Sequence, residues 1–156
     1  MKIKKLSEKD YSIMLSQFNK LISSIKRPEF FLCDEEIIKR SAKYCFAAYD
    51  EKNPVAFAFA LIGIDKEIKQ HLFNFEEDKC FEPGAFVEEK FQGQHLAEKT
   101  TNALISYMKK QGFKYMIATA HPENIASNKT LERIGMKLVK RIIRHCQPRN
   151  LYIKEL

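Results

Sequence analysis

The stretch Gln92-Gly93-Gln94-His95-Leu96-Ala97 sets a glycine and a small final residue at the mouth of an amphipathic run. A chain that turns tightly there into a helix aims several backbone N–H groups at one point, and the helix dipole adds attraction for an anion such as a phosphate. Small residues let the anion reach the backbone. Gly93 is the free turn residue and Ala97 the small one. His95 is the bulky exception, its ring either hindering approach or turning outward to donate to a phosphate when protonated. About thirty residues downstream comes His121-Pro122-Glu123-Asn124-Ile125-Ala126-Ser127, then Leu131 and Gly135-Met136. Asn124 sits where Asn most often caps a helix. A glycine at a strand-to-helix turn is commonly structural, so the weight rests on both stretches together.

The elements that position these residues follow from periodicity. Lys2 to Leu6 alternates like a short edge strand, and Ser7, with Asp10 three residues on, marks a helix start. The predicted helix runs from Glu8 to Ile25, with Tyr11, Met14, Leu15, Phe18, Leu21 and Ile22 on one face. Pro28 ends it. Asp34-Glu35-Glu36 opens a shorter helix to Ser41, acidic at its favourable end. Tyr44 to Tyr49 and Val55 to Ile64 read as a hairpin about the turn Asp50-Glu51-Lys52-Asn53-Pro54. Asp65 to Glu77 fits a short helix or a loop. Phe81 to Val87 reads as a strand interrupted by Pro83-Gly84. A helix over Gln94 to Gln111 follows, its buried stripe made by Leu96, Thr100, Ala103, Leu104 and Tyr107 or Met108, with Gly112 past its end. Tyr115 to Ala120 is a buried strand, Ile125 to Ile134 a helix stopped by Gly135, and Met136 to Ile143 and Leu151 to Ile153 are the last strands.

At 156 residues, with 45% hydrophobic and 30% charged residues, the chain reads as a single folded domain, 1–156, rather than a disordered or membrane protein. Neither a signal-peptide run nor a span of about 20 apolar residues is present, so no membrane association and a cytoplasmic location are expected. Cys33, Cys45, Cys80 and Cys146 are scattered, without metal-site spacing, and read as reduced thiols and not as metal ligands. The net charge of +7 suits an anionic partner, whether a nucleotide cofactor, an acidic protein or nucleic acid. It is spread along the whole chain, and no nucleic-acid-binding signature accompanies it.

The order β-α-α-β-β-β-α-β-α-β-β resembles the Gcn5-related N-acetyltransferase (GNAT) family: an α/β (α+β) fold with a central mixed, mostly antiparallel sheet flanked by helices. The resemblance is specific over Phe81 to Met136. Gln92 to Ala97 matches the family's Arg/Gln-x-x-Gly-x-Gly/Ala phosphate loop, with His95 in place of Gly. Asn124, Ser127 and Gly135 match its Asn-x-x-Ala/Ser-x-x-x-Tyr-x-x-x-Gly-Phe pattern, with Leu131 in place of Tyr and Met136 in place of Phe. The resemblance implies an acetyl-CoA-dependent N-acetyltransferase acting on a primary amine of a small molecule or peptide. It implies cofactor contacts from Ala85, Phe86 and Val87, from Gln92, Gly93, Gln94, His95, Leu96 and Ala97, and from Asn124 and Ser127. A backbone N–H near Phe86 and Val87 would polarise the thioester.

The amine must lose a proton and the leaving thiolate must gain one. His121, after one cleft strand, and Glu82, on the facing one, are the candidate bases; a chain of waters is the alternative. Tyr107 and Tyr115 are candidate acids, since Leu131 leaves the family's position vacant. Two other readings stay open: a family member that binds a CoA ester without catalysis, and a basic nucleic-acid-binding module. Substrate choice is expected from Pro28 to Asp34 and Asp65 to Cys80, where Glu76-Glu77-Asp78 is either a solvated loop or an attractor for a cationic amine. Pairing of two copies through a sheet edge or terminal strands is a further expectation.

Overall fold

In the computed structural model, which describes Met1–Leu156 throughout, the chain runs β1 (Lys2–Lys5), α1 (Tyr11–Ser23), α2 (Glu35–Ser41), β2 (Cys45–Asp50), β3 (Asn53–Ile62) and α3 (Lys66–Lys69), followed by β4 (Cys80–Val87), α4 (Leu96–Lys110), β5 (Tyr115–Ala120), α5 (Ile125–Arg133), β6 (Lys137–Arg144) and β7 (Gln147–Glu155). The strands form one seven-stranded sheet in the order β1-β2-β3-β4-β5-β7-β6. Every neighbouring pair is antiparallel except β4 and β5. This is the expected mixed sheet.

Alternation along the strands sorts two layers. Ala58, Ala60, Phe81, Met116, Ala118 and Ala120 face α4 and α5, packing on Leu104, Met108 and Ile134. Phe57, Phe59 and Phe86 face the other way, onto Met14 and Phe18 of α1 and Ile38 of α2. Phe57, Phe59 and Phe81 are fully buried, and each contributes about 2–3 kcal/mol by leaving water. No helix is long and apolar enough to cross a membrane.

Several boundaries differ from the sequence reading. The first helix is shorter: Glu8–Asp10 is a 3-10 turn and Ser7 makes no side-chain cap, because the buried Asp10 carboxylate accepts from the Tyr49 hydroxyl at 2.9 Å and holds the entry. The hairpin turn shrinks to Glu51-Lys52, with Asn53 and Pro54 already in β3. The unsettled Asp65–Glu77 segment contains the single helical turn α3. α4 begins at Leu96, two residues later than expected.

The final hairpin is longer than its hydrophobic pattern shows. It turns at His145-Cys146, both left-handed at φ 51° and 60°. β4 passes through Pro83-Gly84 unbroken, for a reason that belongs to the site.

Candidate active site

β4 and β5 form a fork. They pair only at Cys80–Tyr115 and Phe81–Met116, and beyond Phe81 β5 leaves the ladder of β4. The register with β3 fixes which groups face the gap. Gly63 N–H donates to Cys80 C=O and Glu88 N–H to Val55 C=O, so even-numbered residues of β4 bond to β3 and odd-numbered ones face β5.

Pro83 therefore falls where a missing N–H costs no ladder bond, which is why the strand survives it. Ala85 presents a free N–H and C=O to the gap and is exposed in a central strand. Val87 presents its N–H, while its carbonyl accepts from Gln92 Nε2 at 3.2 Å. Phe86 faces inward instead: its backbone bonds to β3 and its ring stacks on Phe57 at 4.8 Å. Of the three β4 residues expected at the cofactor, Ala85 and Val87 offer backbone groups and Phe86 supports them from the core. Gly84 takes a close approach, since a Cβ there would stand 2.3 Å from the Phe59 ring.

The loop after β4 ends in a row of unused donors. The N–H groups of Gly93, Gln94, His95, Leu96, Ala97 and Glu98 have no acceptor within the chain. Gly93 has φ 81° and open space around its Cα; His95 is left-handed at φ 58°. The His95 backbone thus adopts the conformation for which glycine is favoured. Its ring is exposed, with Nδ1 3.5 Å from a Glu98 carboxylate oxygen. Gln92 is not aimed at the anion position; its side chain braces the loop against β4. This concave row at the start of a fifteen-residue helix fits a pyrophosphate.

Across the fork, Asn124 Oδ1 accepts from Ser127 N–H at 3.3 Å and caps α5. Ser127 is half-buried on the first turn. Asn128, which the sequence reading missed, is the buried hub of this corner. Its Nδ2 donates to the carbonyls of His121 and Asn124 at 2.9 and 2.8 Å, and its Oδ1 accepts from the Tyr152 hydroxyl at 2.6 Å and from Asn150 Nδ2 at 2.9 Å. Burial pushes the Tyr152 phenol above its ordinary pKa.

The two candidate bases occupy unlike settings. His121 is buried under Phe30, ring centroids 4.9 Å apart. Its Nδ1 accepts from the Glu123 N–H at 3.1 Å, so the neutral ring carries its proton on Nε2 and has no free lone pair. The loop that covers it is tied down: Arg27 bonds Glu123 at 2.6 Å, and the fully buried Arg149 donates to the carbonyls of Glu29 and Phe30.

Glu82 stands at the fork on the α1–α2 face, where both its oxygens accept from the buried Arg144. Arg144 also donates to Asp65 at 2.9 Å and to Thr119 of β5 at 2.9 Å, so one guanidinium spans both arms of the fork. Glu82 and Arg144 line a cavity of about 580 Å³ that His121 does not reach. Tyr107 lies elsewhere, its ring against Phe46 and Lys5. Tyr115 is at the root of the fork, edge-on to Phe75.

Solved structures share this architecture. A ribosomal-protein-alanine N-acetyltransferase from Brucella melitensis aligns over 100% of both chains with TM-score 0.78 and 16% identity. A phosphinothricin acetyltransferase from Sinorhizobium meliloti, in complex with acetyl-CoA, aligns over 99% of this chain and 88% of its own with TM-score 0.74 and 13% identity. The aminoglycoside acetyltransferase AAC(6')-Ib, in complex with coenzyme A, aligns over 98% and 93% with TM-score 0.71 and 10% identity. Identities this low establish the fold alone. Comparison with curated proteins returns no match. The sequence model of the acetyltransferase (GNAT) domain matches residues 18–137. That match takes in both arms of the fork, the donor loop and α5, and the chain belongs to the GNAT family of acetyltransferases.

Proposed function

We propose that this chain transfers the acetyl group of acetyl-CoA to a primary amine of a small molecule or peptide. The observation that carries this reading is the pairing of the fork with the unused N–H row of Gly93 to Glu98, which follow one another along β4, its loop and the start of α4. The N–H row holds the pyrophosphate. Ala85 and Val87 hold the amide-bearing arm as an added strand would, with Asn124 and Ser127 on its other side.

Ala85 N–H is the first donor on the gap side above the fork, because Pro83 has none, and it polarises the thioester carbonyl. The amine nitrogen bonds to the carbonyl carbon, the carbon–sulfur bond breaks, and sulfur leaves as thiolate. Glu82, facing the cavity, orients the amine. Both its oxygens already accept from Arg144, and the amine proton passes through water. His121 acts as a wall, not a base. With Leu131 at the family's tyrosine position, the thiolate also takes its proton from solvent.

Continuous detection of free thiol with acetyl-CoA and a panel of primary amines tests the reading. Amine-dependent thiol release, with rates still rising well above pH 6.5 toward the acceptor's own pKa, is expected. A plateau below the acceptor's own pKa that His121→Gln removes would return His121 to the role of base. Absence of acetyl-CoA binding would overturn the whole assignment.

A further inference from the structure

The cavity beside Glu82 separates its charges. On the side of β4 and β6, Asp65 and Glu82 share the single guanidinium of Arg144, leaving one negative charge in excess. On the α2 side, Arg40 and Lys43 line the same cavity, and neither has a carboxylate partner. Lys43 lies over the Tyr44 ring, with Nζ 5.3 Å from its centroid. The other acid on the wall, Glu77, is taken by Lys69 at 2.7 Å. About 580 Å³ is the volume of a small-molecule site.

A polyamine or an aminoglycoside would bring several cations to a cavity whose α2 side already carries two without a carboxylate partner, and like charges disfavour it. An acceptor with an amine at one end and an anion at the other meets opposite charge at both. We infer that the acceptor is an amino acid or a close amino-carboxylate: its amine lies at Glu82 and Asp65, beside the fork, and its carboxylate at Arg40 and Lys43. This rests on the acetyl-transfer reading above and adds the class of substrate to it.

The test compares free amino acids, their methyl esters and a polyamine in the thiol-release assay, with acetyl-CoA binding measured separately by calorimetry. Free amino acids are expected to be acetylated with kcat/KM roughly tenfold to a hundredfold above that of their methyl esters, the worth of a charge-assisted contact. In an Arg40→Gln/Lys43→Gln double variant that preference disappears while acetyl-CoA affinity stays unchanged. Both residues are exposed, so the variant is expected to fold as the parent does. Esters or polyamine used as well as the free acids, or no amino acid used by protein that binds acetyl-CoA, would overturn the inference and leave the acetyl-transfer reading standing. Loss of acetyl-CoA binding by the parent protein would sink both together.

Discussion

Placing one negative charge in the donor loop is the sharpest perturbation of the proposed cofactor site. Gly93→Asp and Gly93→Asn are nearly identical in shape, and both residue types tolerate the left-handed backbone better than most. The φ of 81° therefore costs the two variants about equally, and their side chains enter open space. What differs is a charge facing the position proposed for the pyrophosphate. At about 6 Å and an effective dielectric of about 40, the nearer phosphate charge is repelled by roughly 1.4 kcal/mol and a second, at about 8 Å, by roughly 1 kcal/mol. Physiological salt, with its Debye length of about 8 Å, halves the sum to about 1.2 kcal/mol. The Asp variant should thus bind acetyl-CoA about eightfold more weakly than the Asn variant, and roughly fiftyfold more weakly at low salt. Titration calorimetry at two ionic strengths reads both ratios. Equal affinities of the two variants at both strengths would refute a pyrophosphate at Gly93 to Glu98.

Other consequences concern stability. His95→Gly relieves a left-handed residue at a cost of about 1–2 kcal/mol and adds about 0.5–1 kcal/mol of unfolded-chain freedom, so the melting temperature should rise by roughly 2–3 °C; an unchanged or lower value would contradict the strain at φ 58°. Gly84→Ala drives a Cβ into the fully packed Phe59 ring and should destabilise by about 1–3 kcal/mol in denaturant titrations. Burial pushes the Cys33 thiol up to about 12, and burial with the Asp10 hydrogen bond pushes the Tyr49 phenol up to about 12. Protons are then held more tightly in the folded chain. The stability they contribute is fully present below about pH 9, where the unfolded thiol begins to ionise, and is lost as pH rises toward 12. Denaturant midpoints flat up to pH 12 would contradict this.

The donor loop and α5 were legible because their signals are local: Gly93, Ala97, Asn124 and Gly135 act within one turn of their neighbours. For His95 the sequence left two readings, a ring that hinders the anion or one turned outward, because it does not show that the exposed ring rests beside Glu98. Pro83-Gly84 read as a break because the side of β4 on which Pro83 falls depends on pairing with β3. Arg144 was invisible for a different reason. Its partners Asp65, Glu82 and Thr119 lie far from it in the chain, and an arginine in the run Lys137–Arg144 resembles its solvent-facing neighbours. Asn128 was hidden likewise, because polar helix positions usually face water. The His145-Cys146 turn carries neither Gly nor Asn, so the last hairpin gave no local sign of its length.

The central claim is that acetyl-CoA lies in the β4–β5 fork with its pyrophosphate on the N–H row. Amide-resolved NMR of the uniformly labelled chain, titrated with acetyl-CoA, addresses it residue by residue. The largest shifts are expected at Gly93 to Glu98, Ala85 and Val87, with the β3-bonded Phe86 amide moving less. Saturable shifts centred on the cavity at Arg40 and Lys43, with Ala85 and Gly93 to Glu98 unmoved, would contradict the account.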